Sequence, residues 1–176
     1  MYELYILAEL IERPRTGYKL RAVLELTLGS YRKISWGVMY PLLNRLADAG
    51  YITLSDIDEA GRKKKFATIT EAGRKRFYEL MEAPVESNAH TEDSYQFKLD
   101  AIRFVDSDLK RQILLEYRAW NESLIEQAQS KIAHVANVDE MSAEDKRSAV
   151  RMLELKIALN ERTIQWINDL KGELGL

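Results

Sequence analysis

Apolar residues recur at helical spacing three times before position 50, alternate over two short runs, and return to helical spacing for the rest of the 176-residue chain. Leu4, Leu7, Leu10 and Ile11 predict a first helix over residues 3–11, ended by Pro14. Thr16 can cap a second helix whose apolar positions are Leu20, Val23, Leu24 and Leu28. Lys19 stands where a full capping box carries Glu, and Gly29 stops the helix. Ser35 is a plausible N-cap for a third helix with Val38, Leu42 and Leu46 as its inward stripe, joined by Leu43. Gly50 suits the left-handed position that closes it. Pro41 conflicts with this helix, because it removes a hydrogen bond and crowds the carbonyl of Gly37. It predicts either a local kink or a helix that begins later than Ser35.

Residues 51–57 and 65–69 alternate imperfectly, and Asp58, Glu59, Ala60 and Gly61 between them supply the turn chemistry of a hairpin. The four cations Arg62, Lys63, Lys64 and Lys65 follow that turn. Thr70 then caps a fourth helix, running to about residue 81 with Phe77 and Leu80 facing inward. Residues 83–91, with Pro84, Ser87 and Asn88, are the best linker candidate, which divides the chain into domains 1–85 and 86–176. The second domain reads as wholly helical. A short helix covers residues 94–104. Asp106 or Ser107 caps a long one with Leu109, Ile113, Tyr117, Trp120, Leu124, Ala128, Ile132 and Val135 along one side. Ser142, with Asp145 three residues on, caps the last. Val150, Leu153, Ile157, Ile164 and Ile167 form a heptad seam on it, interrupted by Asn160. A second stripe holds Met152, Leu155, Leu159, Trp166 and Leu170.

Composition narrows the chemistry. Apolar residues make up 46% and charged residues 31%, as in a soluble, helix-rich globular protein. The absence of cysteine excludes disulfides, cysteine-ligated zinc and thiol catalysis. His90 and His134, the two histidines, are not at metal-ligand spacing, so no metal site and no cofactor are expected. Glu3, Glu9 and Glu12 among the first apolar residues are wrong for a signal peptide, and no apolar run spans a membrane. A cytoplasmic location is expected. The net charge of −2 hides an asymmetry: residues 1–85 hold 14 Lys/Arg against 11 Asp/Glu, and residues 86–176 hold 12 against 17. Only the front half, at +3 against −5 for the back, is suited to face a polyanion.

A helix followed directly by a hairpin with a basic tip has the outline of a winged helix on DNA. The helix would lie in a major groove and the cationic wing on a phosphate backbone. Ser35, Trp36, Gly37, Met39, Tyr40, Asn44 and Arg45 lie off the inward stripe of the third helix. Hydroxyl, amide and guanidinium groups are the types that read base edges or grip phosphates. A solvated face explains such a helix when it stands alone; the basic hairpin beside it favours DNA contact. Two linked half-sites multiply affinity, and a two-fold protein favours a pseudo-palindromic operator. The last helix carries more apolar stripe than one antiparallel pair needs, so the seam of Val150, Leu153, Ile157, Asn160, Ile164 and Ile167 is expected to face a second subunit, with Asn160 fixing register. Tyr117, Trp120 and Trp166 are candidates for an effector pocket, although their helical spacing also fits core packing. No catalytic motif is present, and an enzyme is not expected.

Five motifs carry a family resemblance. Thr16-Gly17-Tyr18-Lys19-Leu20, Ser35-x-Gly37-x-x-Tyr40-Pro41-Leu42-Leu43-x-Arg45-Leu46, Gly50-Tyr51-Ile52, Gly61-Arg62-x-x-Lys65 and Ile69-Thr70-x-x-Gly73-Arg74 together resemble the PadR family of bacterial transcriptional regulators, over roughly residues 3–80. The remainder resembles the C-terminal domain of the larger members by length and helix pattern only. The resemblance implies a winged helix-turn-helix fold, a homodimer joined mainly through the C-terminal helices, and usually repression. It implies that the helix around Tyr40 and Pro41 is continuous. It places Ser35, Trp36, Gly37 and Tyr40 at the DNA-facing start of that helix, and Tyr18 and Lys19 near the DNA backbone. Arg62, Lys63, Lys64 and Lys65 would form the wing, with Phe66 as the aromatic on its return strand. The Glu usual after Arg-Leu is replaced by Ala47-Asp48. Some members respond to phenolic acids and others to drugs, and nothing in these residues selects among them.

The expectation is therefore a mainly α protein: a winged helix-turn-helix domain with a two-stranded wing, and an all-helical C-terminal dimerisation domain. It would act as a sequence-specific, dimeric repressor of double-stranded DNA targets, released by a small aromatic effector. The alternative is a winged-helix adaptor that binds another protein. The candidate DNA contacts are Tyr18, Lys19, Ser35, Trp36, Gly37, Tyr40, Asn44, Arg45, Arg62, Lys63, Lys64 and Lys65.

Overall fold

The computed structural model describes residues 2–29, 31–59 and 62–176, and their side chains apart from those of residues 57–64. The chain forms two compact units, Met1–Asp106 and Ser107–Leu176. In the first, helix α1 (Tyr2–Glu12) is followed by the two-residue strand β1 (Arg15–Thr16), helices α2 (Gly17–Leu28) and α3 (Trp36–Asp48), and the hairpin β2 (Ile52–Glu59) and β3 (Arg62–Ile69). Helices α4 (Glu71–Glu82) and α5 (Thr91–Asp100) and a short 3-10 turn, Ile102–Phe104, complete it. The unit is a winged helix-turn-helix.

Helix α1 is the centre of this unit. It packs against α2, α4, α5 and β3, so its burial runs right round the helix through Tyr5, Ile6, Leu7 and Leu10 rather than along one stripe. The Tyr5 hydroxyl shares a 2.9 Å hydrogen bond with Thr27 Oγ1, which ties α1 to α2. Three local devices set the helix ends. Thr16 Oγ1 accepts from Lys19 N at 3.3 Å and opens α2. Gly50, at φ 73°, closes α3: its amide donates to the Ala47 carbonyl and that of Tyr51 to Leu46, both at 2.9 Å, in a Schellman arrangement. Thr70 Oγ1 accepts from Gly73 N at 3.1 Å and donates to the Gly50 carbonyl at 2.6 Å, so one hydroxyl caps α4 and holds the base of the hairpin. A Cβ on Gly73 would run into the Tyr51 carbonyl, which explains why that helix start is glycine.

The sheet order is β1-β3-β2, antiparallel throughout. The two-stranded wing thus gains a third strand that carries no alternation to betray it. Arg15 fixes that strand from behind: its guanidinium donates to the Glu9 carbonyl at 3.2 Å and lies 2.9 Å from Glu9 Oε2. The second contact is an ion pair without hydrogen-bond alignment. Burial holds the Glu9 carboxyl above its ordinary range, against the opposing pull of Arg15.

The residues expected to form a linker are instead structured within this unit. Thr91 Oγ1 accepts from Asn88 N at 2.8 Å and returns a bond to the Asn88 carbonyl at 2.7 Å. Buried Lys98 donates to the carbonyls of Met81 at 2.8 Å and Ala83 at 2.5 Å, closing the end of α4. Phe97 packs its ring 5.0 Å from that of Tyr5. The division between units therefore falls after Asp106, and residue 85 lies inside the first. On α4 the buried positions are Gly73, Phe77 and Met81, with Leu80 only half-buried.

The second unit is one helical hairpin, α6 (Ser107–Ala136) and α7 (Ala143–Glu173). Arg118 near its start reaches Asn168 at 3.1 Å, and Lys146 donates to the Ala136 carbonyl at 3.1 Å, so the helices run antiparallel. Ser142 Oγ accepts from Asp145 N at 3.1 Å, the cap its spacing predicts. On α6 the buried positions are Ile113, Leu114, Tyr117, Asn121 and Ala128. Among the described helices none is long and apolar enough to cross a membrane.

Candidate nucleic-acid interface

Helix α3 runs unbroken from Trp36 through Pro41 to Asp48. Ser35 takes the N-cap position through its backbone: its carbonyl accepts from Val38 N and Met39 N at 3.1 Å each, and its side chain makes no cap bond. The inward face is Met39, Leu42, Leu43 and Leu46. Val38, expected on that stripe, is 44% exposed, whereas Met39, expected outside, is fully buried. The two differ by one helical step of 100°, and the core against α2 and β2 decides which lies under cover. Gly37, Tyr40, Pro41, Asn44 and Arg45 are exposed, and Trp36 is half-buried.

Trp36 and Tyr40, one turn apart, stack with ring centroids 5.0 Å apart and planes at 29°. The Arg21 guanidinium lies 4.8 Å over the Trp36 ring. Glu25 Oε1 holds Arg21 Nε at 3.0 Å and accepts from Ile34 N at 2.9 Å. The Ile34 amide first, and Arg21 next, hold the Glu25 carboxyl below the usual carboxylate range. This chain of contacts ties α2 to the segment leading into α3 and fixes the aromatic pair. Neither Arg21 nor Glu25 is a candidate on the sequence alone. The one signal for them was their i, i+4 spacing, which is common on solvated helices.

The hairpin register sets Ile52 opposite Ile69, Leu54 opposite Ala67, Asp56 opposite Lys65, Asp58 opposite Lys63 and Glu59 opposite Arg62, with Lys64 facing Ile57. The four cations thus belong to β3 rather than to a separate tip, and the turn expected at Ala60 and Gly61 lies outside the described residues. So do the side chains of Arg62, Lys63 and Lys64. Acidic residues stand across the ladder from three of the four cations. Oppositely charged cross-strand pairs favour strand pairing, which accounts for strands longer than alternation predicts.

Six of the twelve candidate contacts meet around one cavity of about 540 Å³. Tyr18 and Lys19 from the start of α2, Trp36, Tyr40 and Asn44 from α3, and Lys65 from β3 line it together with Thr16, Gly17, Leu43, Leu54, Phe66 and Ala67. Gly37 and Arg45 lie elsewhere, on a groove of about 430 Å³ with Tyr2, Glu3, Val38, Pro41 and Leu42. Ser35 lines neither groove. In the helical unit Tyr117 is buried and its ring lies 6.0 Å from that of Trp120, while Trp166 is exposed on α7. The seam residues Val150, Leu153, Ile157, Asn160 and Ile164 are half-buried and Ile167 is buried. Ile167 lines a small cleft with Leu114 and Leu115 of α6. Among the described residues no group of carboxylates and histidines could hold a metal ion.

The model of the Transcriptional regulator PadR-like family matches residues 6–79. Bacillus subtilis PadR, solved in complex with operator DNA, is 18% identical, with 97% of this chain and 96% of that chain covered and a TM-score of 0.44. A PadR-like transcriptional regulator from Bacillus cereus is 18% identical, with 96% and 99% covered and a TM-score of 0.41. Bacillus subtilis PadR in complex with p-coumaric acid is 17% identical, with 99% and 95% covered and a TM-score of 0.40. No curated protein matches the chain. The match to the PadR-like family of transcriptional regulators thus reaches from α1 into α4, within the winged helix-turn-helix unit.

Proposed function

We propose that this chain is a dimeric, sequence-specific DNA-binding repressor. The observation that carries the reading is the exposed face of α3. Tyr40, Asn44 and Arg45 lie open on one short helix, and Tyr18, Lys19 and Lys65 flank it. Amide and guanidinium groups suit base edges and phosphates, and lysines suit phosphates. Charge supplies only a modest share. The wing residues 52–59 and 62–69 hold four Lys/Arg against Asp56, Asp58 and Glu59, a balance of +1. A single protomer therefore makes few phosphate contacts, and pairing two half-sites raises affinity through effective concentration.

The second protomer is best placed on the outer stripe of α7. Met152, Leu155, Leu159 and Trp166 are between 43% and 61% exposed, a row of large apolar side chains along one helix. The seam of Val150, Leu153, Ile157 and Ile164 is half-buried by comparison, and Asn160 on it donates to the Lys156 carbonyl of its own helix at 2.7 Å. An effector, if it is to release DNA, must bind the DNA-competent and DNA-incompetent states unequally.

Selection of DNA fragments by the purified full-length protein, followed by anisotropy titrations at rising salt, tests the reading. The expected result is a few pseudo-palindromic sites, with log affinity falling by about 0.9 per neutralised phosphate for each unit of log salt. Replacing Lys63, Lys64 and Lys65 together by Gln should weaken binding at least about tenfold. Weak binding that is insensitive to salt and to the triple variant would overturn it in favour of the protein-interaction adaptor.

A further inference from the structure

Helix α3 carries its two poorest helix formers on its open face. Gly37 and Pro41 stand one turn apart, and both are exposed. The fold explains neither. Gly37 does not have a positive φ, and a Cβ added to it would meet nothing nearer than Ser35 Oγ at 3.6 Å. Alanine would fit there and favour the helix. Pro41 forgoes a backbone hydrogen bond and, being exposed, fills no core. Val38 and Tyr40 are open beside them, at 44% and 54%. The exposed side chains from Ser35 to Pro41 thus offer a base only two hydrogen-bonding groups, the hydroxyls of Ser35 and Tyr40; Asn44 and Arg45 come a turn later. A face this poor in donors and acceptors, with no side chain at Gly37, suits the apolar feature of the major groove, the thymine 5-methyl group. We propose that α3 seats its backbone at Gly37 close against the base edges and reads thymine methyl groups through the Tyr40 ring and Pro41, with Arg21 and Glu25 as positioning residues. The inference rests on the DNA-binding reading above and adds to it the base feature that is read.

A methyl group is discriminated only by a surface that is already in place, because the contact itself is weak. An exposed tyrosine on a helix would ordinarily keep its rotamer freedom and lose it on binding. Here the Tyr40 ring lies 5.0 Å from that of Trp36 at 29°. The Arg21 guanidinium lies 4.8 Å over the same Trp36 ring. Glu25 holds Arg21 at 3.0 Å and accepts from the Ile34 amide at 2.9 Å. The brace therefore runs from α2 through Trp36 to Tyr40, and its charged members pair with each other. With its charge taken up by Glu25 and its guanidinium over a ring, Arg21 is better suited to hold the aromatic pair than to grip a phosphate. An apolar reader also complements the modest charge of the wing. It adds discrimination between bases without adding to the dependence on salt.

Deoxyuridine in place of thymidine removes the methyl group and leaves every hydrogen-bonding group of the base pair, so it is the probe for the full-length protein. In operators carrying one such replacement at a time, affinity should fall about fourfold at one or two thymines of each half-site, the factor that burial of a methyl group carries. Tyr40→Ala should erase that ratio, and Tyr40→Phe, which keeps the ring, should retain it. Arg21→Met should lower the ratio while the salt slope stays the same; a slope reduced by about one would make Arg21 a phosphate contact instead. Gly37→Ala should melt no lower than the wild-type protein, yet weaken operator binding at least about tenfold, as an overpacked contact does. Affinity indifferent to deoxyuridine at every thymine, a ratio lost equally in Tyr40→Phe, or full binding by Gly37→Ala would each overturn the proposal. Failure to select any DNA would sink the functional reading and this inference with it, whereas operator binding that ignores the methyl group sinks this inference alone.

Discussion

Helix α1, with 11 residues, buries seven of them; helix α7, with 31, buries only Ile167. The first lies among four other elements, and the second belongs to a unit of two helices. A hairpin of helices about 45 Å long can cover one stripe on each but not two. The winged-helix unit is thus stabilised by its own core. The helical unit leaves Met152, Leu155, Leu159 and Trp166 in water, a contiguous cost that a second copy would remove. In this reading the division of labour is physical: a self-sufficient unit can present a rigid surface, and an incomplete one can set the assembly.

The sharpest way to break that contrast is at the outer stripe. Leu155→Glu combined with Leu159→Glu should dissociate the proposed dimer by a factor of about a thousand or more, since each change removes roughly 2–3 kcal/mol of burial and adds a charge. Sedimentation should then report monomer while thermal melting of the first unit is unchanged. A dimer that survives both changes would move the interface elsewhere.

The next effect belongs to the first unit alone. Gly73→Ala should cost about 3 kcal/mol in denaturant unfolding, because the new Cβ meets the Tyr51 carbonyl and backbone has little room to yield. Association through the helical unit should be unaffected.

Tyr5 gives the same unit a signature in alkali. Burial, opposed by the hydrogen bond to Thr27, raises its hydroxyl from 10.0 to about 12. The neutral form is favoured by folding, so its stabilisation is complete below pH 10 and is lost as pH rises through about 12. The loss should be about 2–3 kcal/mol, seen as a falling melting temperature that Tyr5→Phe flattens.

The smallest change tests the helical unit by a local device. Ser142→Ala removes the cap on Asp145 N and should cost about 1 kcal/mol. Hydrogen exchange should show the loss at the first turn of α7 and nowhere in the first unit.

The caps at Thr16, Thr70 and Ser142 and the stop at Gly50 were legible because each is closed by atoms no more than five residues apart. Other features depend on distant partners. Polar Asp93 and Lys98 give α5 no helical stripe, yet both are buried. Arg32 from the segment before α3 holds Asp93 at 2.5 Å, and carbonyls at the end of α4 hold Lys98. That is why residues rich in Pro, Ser and Asn read as a linker and proved to be part of a packed unit. The site shows the same split. Trp36, Tyr40, Asn44 and Lys65 were each singled out by residue type and position, and Tyr18 and Lys19 by the family resemblance. That they surround one cavity with Leu43, Leu54 and Ala67, none of which was a candidate, depends on the strand register.

By itself the sequence determined the helices other than α5, the caps at Thr16, Thr70 and Ser142, the two strands of the hairpin and the family motifs, because periodicity and capping act over a few residues. Tertiary structure alone decided that Met39 rather than Val38 faces the core, that α5 belongs to the first unit, and which stripe of α7 stays exposed. Those are choices between nearly equivalent faces, and a face has no preference until something packs against it.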